Sequence, residues 1–386
     1  MKKKIKFFIP SINEKEINNV KNVLKSGWLT NGKKTIEFEN KIKKFIGSNY
    51  AIAVNSCTNG IFAVLHALNF KKGDEIITTP MTFVSTIHNL YSYGLNIKLV
   101  DINLDDLSFD ENILKKSITK KTKGILINHY GGMPTNTKYI IQISKKYKIK
   151  LIEDAATVFG AKINNQMIGS NPDIVSVFSF YSNKVITTGE GGVITTSNRK
   201  IAEKLKVLIS CGISKTPWQR SKGESGLNWR YEVNSLGFKF NFTDLQASIG
   251  IEQLRKIRSI LKRRKILRNY YFQYLKNLEK KKYIKVFRNK KNISFSEYIF
   301  PIILKRNKDF RDNLISFLNK NNINTSVHYI PANKHKFYKK VFRKYDLKRS
   351  DYAFDNLISL PFHNYLSKSD IKYISKKIEQ FFEKNY

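Results

Sequence analysis

Cysteine is scarce in this sequence, with Cys57 and Cys211 the only two in 386 residues. Two thiols cannot form a disulfide framework, so a reducing compartment fits and a cytoplasmic protein is expected. Long apolar runs are missing too. No stretch approaches the roughly 20 residues of a membrane span. The basic start MKKKIKFFIP stops its short apolar run at Pro10, so it does not read as a signal peptide. Acidic residues are few, 30 against 70 Lys+Arg, which leaves a formal net charge of +40. Such a charge admits anionic partners, nucleic acid among them. Yet no arginine occurs before Arg199, and the lysines are scattered through every segment instead of gathered in one tract. That pattern fits a compositional bias as well as a binding surface. Neither GxGxxG nor a GK[ST] P-loop is present, which argues against a dinucleotide or nucleoside triphosphate site. There is no metal-ligand cluster, internal repeat or recognised nucleic-acid module.

What is present is a rhythm. Apolar strands are expected at Tyr50–Val54, Glu75–Thr78, Ile97–Val100, Gly124–Ile127, Ile149–Glu153, Ile174–Phe180 and Val193–Thr196, most of them separated by helical patterns. Alternation of this kind predicts an α/β fold, with a mostly parallel sheet flanked by helices on both faces. A capping box at Ser11 and Glu14 is expected to open a helix over Ile12–Lys25. Asn241 to about Leu278 reads as one long basic helix. It would lead to a smaller C-terminal α+β domain with strands near Tyr298–Leu304 and Ile323–His328 and helices near Asp309–Lys320 and from Lys368. The expected domains are residues 1–250 and 251–386.

Parallel sheets collect ligands at the carboxyl ends of their strands. The segments there are NSCTNG, PMTFVST, NHYGG and EDAAT, and the next strand is followed by Lys184 and a GEGG turn. A lysine held between buried strands can be desolvated and form a Schiff base with a carbonyl, although the same stretch also reads as a surface hairpin. NSCTNG offers helix-start amides to a phosphate, or is an ordinary cap. Asp154 is a strand-end carboxylate or another cap, and Phe83 is a ring face or core. Taken in this order, a phosphate-binding helix start, an aromatic, an aspartate and a lysine suit pyridoxal phosphate. The aldehyde needs the lysine, the pyridinium nitrogen the carboxylate, and the phosphate amides and hydroxyls.

On these and other stretches, among them SGWLTNGKKTIEFE, LIEDAATVFGA, FSFYSNKVITTGEGG, GFKFNFTDLQASIGIEQL, TSVHYIP and ISLPFH, the chain resembles the DegT/DnrJ/EryC1/StrS sugar aminotransferases of the aspartate-aminotransferase fold type. The resemblance is greatest to the branch that makes 4-amino sugars on a nucleotide carrier, such as UDP-4-amino-4-deoxy-L-arabinose synthase. It implies a homodimer that moves an amino group from glutamate to a nucleotide-linked keto sugar. Lys184 would be the Schiff-base lysine and proton shuttle. Asp154 would pair with the pyridinium nitrogen, and Phe83 would stack on the ring. Cys57 and Thr58 amides and the Ser179 hydroxyl would hold the phosphate. Thr157 stands where relatives usually carry His or Gln near the cofactor phenolate. Lys239 stands where many carry an Asn that reaches the phosphate of the neighbouring subunit's cofactor. His328 and Tyr329 match a stretch near the substrate, with Trp28 and Tyr181 as further candidates. A sister branch of dehydratases has histidine in place of the lysine, so Lys184 argues against that activity.

Overall fold

The computed structural model describes residues 4–213, 218, 221 and 231–385. Its strands are β1 (Tyr50–Val54), β2 (Glu75–Thr78), β3 (Asn96–Leu99), β4 (Thr122–Asn128), β5 (Lys150–Asp154), β6 (Lys162–Ile163), β7 (Gln166–Met167), β8 (Ile174–Ser179), β9 (Gly192–Thr196), β10 (Ile284–Val286), β11 (Ile293–Ser294), β12 (Phe300–Leu304) and β13 (Leu357–Leu360). The helices are α1 (Glu14–Ser26), α2 (Lys33–Ile46), α3 (Cys57–Ala67), α4 (Val84–Ser92), α5 (Glu111–Ser117), α6 (Lys138–Tyr147) and α7 (Arg199–Leu208), then α8 (Asp244–Arg255), α9 (Ile257–Tyr274), α10 (Lys276–Lys280), α11 (Lys308–Lys320), α12 (Lys348–Asn356) and α13 (Lys368–Asn385).

Seven strands form the main sheet in the order β1-β9-β8-β5-β4-β2-β3. The β8–β5–β4–β2–β3 run is parallel, and β9 joins β8 and β1 antiparallel at one side. Alternation along β1 shows how both faces are covered. Ala51 and Ala53 enter one core with Phe38 and Ile42 of α2, while Ile52 and Val54 enter another with Val64 and Leu65 of α3. Because β9 is antiparallel to both β1 and β8, β1 runs parallel to β8 and β5, so α3, which follows β1, starts at the same sheet edge as the carboxyl ends of β5 and β8, where a ligand site is expected. A second sheet, β10-β12-β13, has its own core with α9, α11 and α13, which also takes in Ile5 from the chain's start.

Three expectations are corrected. Helix α1 opens two residues later, because Asn13 and Glu16 form the capping box: Glu16 accepts from the Asn13 amide at 3.0 Å. Asn caps as well as Ser does, so the local pattern admitted either frame. The single helix from Asn241 is three pieces, broken at Lys256 and Leu275, and it begins at Asp244 under a Thr243–Gln246 capping box. Ile323–His328 is not a strand. Ile323 bridges to Ile5 and Ser326 to Ser359, two different neighbours, so no ladder forms.

Asp244 ties α8 to the N-terminus of α2. Its carboxylate accepts from the Gly32 and Thr35 amides at 2.9 and 2.8 Å, from the Lys34 amide at 3.1 Å and from the Thr35 hydroxyl at 2.8 Å. These donors are the orphan amides of a helix start, satisfied by a buried anion.

Candidate active site

The carboxyl ends of β5 and β8 open on a cavity of about 590 Å³ that contains Lys184, Asp154 and Phe83 together with Cys57, Thr58, Thr157, Ser179, Tyr181, His328 and Tyr329. Ten of the twelve residues expected at the site from sequence therefore share one space. Another cavity of about 600 Å³ lies along β1 and α2, lined by Glu39, Lys43 and Lys206, and holds none of these groups.

Lys184 sits on a closed loop. The amides of Phe180 and Thr188 donate to Gly191 and Phe180 carbonyls at 2.8 and 2.9 Å, and the Thr187 hydroxyl donates to the Phe180 carbonyl at 3.0 Å. The loop closes only because Gly191, at φ +153°, has no side chain: a Cβ there would lie 2.4 Å from Thr188 Oγ1 and 2.6 Å from the Phe242 ring. Lys184 is half-buried, and its Nζ lies 4.6 Å from the centre of the Tyr298 ring.

Asp154 ends β5, buried, with Oδ2 receiving the Thr86 hydroxyl at 2.6 Å and Oδ1 the Ala156 amide at 3.2 Å. Helix α3 begins beside it. Ser56 caps the Asn59 amide at 3.1 Å, which leaves the Cys57 and Thr58 amides at the positive end of the helix dipole. Gly192 allows this close approach, since a Cβ there would come within 2.8 Å of the Cys57 nitrogen. Burial, with Asp154 nearby, pushes the Cys57 thiol well above its usual range, and it donates to the Val177 carbonyl at 3.6 Å, so it is an inert thiol.

Phe83 is 59% exposed, although aromatic rings of this kind are commonly core. Its edge meets Tyr329 at 6.2 Å. Opposite lies His328, stacked on Phe7 and paired through Nδ1 with the Ser359 hydroxyl at 2.9 Å. Burial, then the charge of Lys184, lowers the His328 pKa to about 4, so its imidazole is neutral. Burial likewise raises the Tyr329 phenol well above its ordinary value. Thr157 is in place, with its hydroxyl donating to the His129 carbonyl at 2.8 Å.

Two expected residues are not on the cavity wall. Trp28 donates from Nε1 to the Asn31 carbonyl at 3.1 Å and packs edge-on against Trp218. Lys239 is exposed. Its neighbours Phe238 and Phe240 stack on each other and pack into the α3 core, so the period-2 alternation turns Lys239 outward.

Sequence reasoning missed Thr86, His129, Asn183 and Tyr298. Thr86 and His129 stand in the strand-end segments PMTFVST and NHYGG, so position alone could have flagged them. Nothing local marks Tyr298, which arrives from the other half of the chain.

An aldehyde cofactor with a phosphate fits these residues. The cavity presents free helix-start amides, a ring face open to stacking, a buried carboxylate, and a lysine that makes no ion pair among the described residues. A lysine, a strand-end aspartate and a helix start with free amides, on a seven-stranded mainly parallel sheet, fit a pyridoxal-phosphate enzyme of the aspartate-aminotransferase fold type.

The chain belongs to the DegT/DnrJ/EryC1/StrS aminotransferase family, whose profile matches residues 10–379. It is 39% identical to an uncharacterized protein of Methanocaldococcus jannaschii, covering 98% of this chain and 97% of that one. It is 34% identical to the spore coat polysaccharide biosynthesis protein SpsC of Bacillus subtilis, covering 95% and 94%. Among solved structures, the putative sugar aminotransferase Spr1654 of Streptococcus pneumoniae, in its PMP form, superimposes with a TM-score of 0.91 at 27% identity, covering 98% and 99%. The same protein is also solved in a PLP form. Helicobacter pylori PseC, an aminotransferase involved in pseudoaminic acid biosynthesis, gives 0.88 at 27%, covering 99% and 100%. The cofactor of the family is pyridoxal phosphate.

Proposed function

We propose that this enzyme moves an amino group from glutamate to the 4-keto carbon of a sugar carried on a nucleoside diphosphate, working in the cytoplasm as a homodimer. The observation that carries the reading is the sharing of one cavity by Lys184, Asp154, Phe83 and the α3 amides. Pyridoxal phosphate, when bound, supplies an aldehyde that accepts the amino group and a ring that withdraws electrons from the reacting carbon. Lys184 would hold the cofactor through that aldehyde and, when free of it, would move the proton at the substrate carbon. Asp154, fixed by Thr86 and Ala156, holds a proton on the ring nitrogen. Phe83 covers the ring, and Cys57 and Thr58 amides with Ser179 hold the phosphate. Thr157 would serve the phenolate only by turning its hydroxyl proton away from the His129 carbonyl, or through a water. Tyr181, neutral His328 and Tyr329 line the substrate side, whereas Trp28, off the cavity wall, takes no part in this reading.

Lys239 serves the partner's phosphate, which accounts for its exposure in a single chain. Support comes from the exposed apolar side chains just before it, Val233 at 64% and Leu236 at 75%, which a second copy would cover. Lys184 speaks against the dehydratase branch, and the scattered lysines give a nucleic-acid reading no module to rest on.

The test is amination of a nucleotide-linked 4-keto sugar with glutamate. Equal yields of amino sugar and 2-oxoglutarate support the reading. A deoxygenated sugar with the nitrogen released as ammonia, and no amino sugar, overturns it in favour of a dehydratase.

A further inference from the structure

Among the described residues on the cavity wall, Lys184 is the only lysine or arginine, and it has no carboxylate within ion-pair distance. The group that faces its Nζ is the Tyr298 ring, 4.6 Å away at the centroid. Tyr298 is only 2% exposed and is held with unusual thoroughness. On one side, the Ser296 and Ile299 amides donate to the Gly132 and Gly131 carbonyls at 2.9 and 3.4 Å, and the Ser296 hydroxyl donates to the Thr157 carbonyl at 2.7 Å. On the other side, buried Arg264 donates from Nη1 to the Glu297 and Tyr298 carbonyls at 3.0 Å each. Arg268 pairs with Glu297 and donates to the Ile299 carbonyl at 3.2 Å. Gly132, at φ +99°, makes the approach possible, because a Cβ there would fall 2.8 Å from the Tyr298 nitrogen. Finally, the phenol hydroxyl donates to Asn183 Oδ1 at 3.2 Å, on the residue just before Lys184.

The ring is therefore fixed at its backbone and at its hydroxyl, with its face toward the amine. A π face attracts an ammonium through its quadrupole, more weakly than a buried carboxylate would and more directionally than an aliphatic wall. An intermediate hold of this kind suits an amine that is released and recaptured in every cycle. We propose that Tyr298 is the positioning residue of Lys184: its ring is the surface on which the amine rests whenever it is not joined to the cofactor, and the bond to Asn183 sets the ring's angle. The proposal rests on Lys184 being the cofactor-linking lysine and does not depend on which sugar is aminated.

The test needs no sugar. The full chain, freed of cofactor by conversion to the amine form and dialysis, is mixed with pyridoxal phosphate, and the joining step is followed by stopped-flow absorbance. Pyridoxamine phosphate, which has no aldehyde, reports non-covalent binding in parallel. Tyr298→Leu is expected to slow joining about tenfold, with pyridoxamine phosphate affinity within twofold of the native chain. Tyr298→Met, a second aliphatic replacement should the first fold poorly, should do the same. Tyr298→Phe, which keeps the face, should restore joining to within about twofold. Joining at the native rate in the aliphatic variants overturns the proposal. So does a Phe variant as slow as Leu, or an affinity for pyridoxamine phosphate that falls in step with the joining rate. Joining of the native chain at a different lysine overturns both this proposal and the assignment of Lys184, whereas normal joining indifferent to residue 298 overturns this proposal alone.

Discussion

Replacing Asp154 by Asn separates a catalytic carboxylate from a structural cap. The substitution keeps the side chain's size and leaves an oxygen for the Ala156 amide, now at 3.2 Å, and a polar partner for Thr86. It removes the charge. A carboxylate and a protonated ring nitrogen about 4 Å apart attract by about 4 kcal/mol at an effective dielectric of about 20. An amide keeps little of this, so the electron-withdrawing form of the ring is disfavoured by a similar amount. At 1.36 kcal/mol per tenfold, the rate of the half-reaction with glutamate should fall by about 10³. The phosphate anchor proposed at Cys57, Thr58 and Ser179 is untouched, so cofactor affinity measured by fluorescence titration should weaken by less than about tenfold. Single-turnover absorbance gives the rate. A variant that reacts within tenfold of the native enzyme would show that Asp154 only caps the turn at Ala156, and the assignment of the pyridinium partner would fail.

Other outcomes follow from the same geometry. Phe83→Ala removes a ring that is 59% exposed, so Tm should hold while cofactor Kd rises by up to about tenfold; a large drop in Tm with unchanged Kd would return Phe83 to the core. Buried His328 takes up a proton only near pH 4, while the unfolded chain does so near 6.5, so the unfolded state binds more protons in between. Stability is therefore lost as pH falls through that window, by on the order of 3 kcal/mol for this residue, and urea unfolding of His328→Gln at pH 7 and pH 4 should show a correspondingly smaller difference. Lys239→Ala and Lys184→Ala chains, each inactive or impaired alone, should regain activity when mixed, because a residue acting across the interface leaves one intact site per heterodimer. Heterodimers that assemble without any gain would place Lys239 outside the partner's site.

The alternation of strands and helices was legible because each period is local: β1, β2 and the run from Ile174 to Ser179 follow directly from β-branched and apolar residues. The clustering of the proposed cofactor residues in one cavity was legible because they stand at strand ends next to breaks in the pattern, as Asp154 and Lys184 do. Helix α1 slipped by two residues because Ser11 and Asn13 each offer a cap with an acid three positions on. The breaks at Lys256 and Leu275 have no glycine or proline to announce them. Tyr298 stayed hidden for a different reason. Its place depends on Gly131, Gly132 and two buried arginines that meet only in the folded chain.

The central claim is that Lys184, among the many lysines of this chain, carries the cofactor. Borohydride reduction of the purified holoenzyme followed by peptide mass spectrometry tests it most directly. The account predicts a phosphopyridoxyl adduct on the peptide containing Tyr181–Thr188, on Lys184 alone, and none in Lys184→Ala. A stoichiometric adduct on any other lysine, or its persistence in that variant, would contradict it.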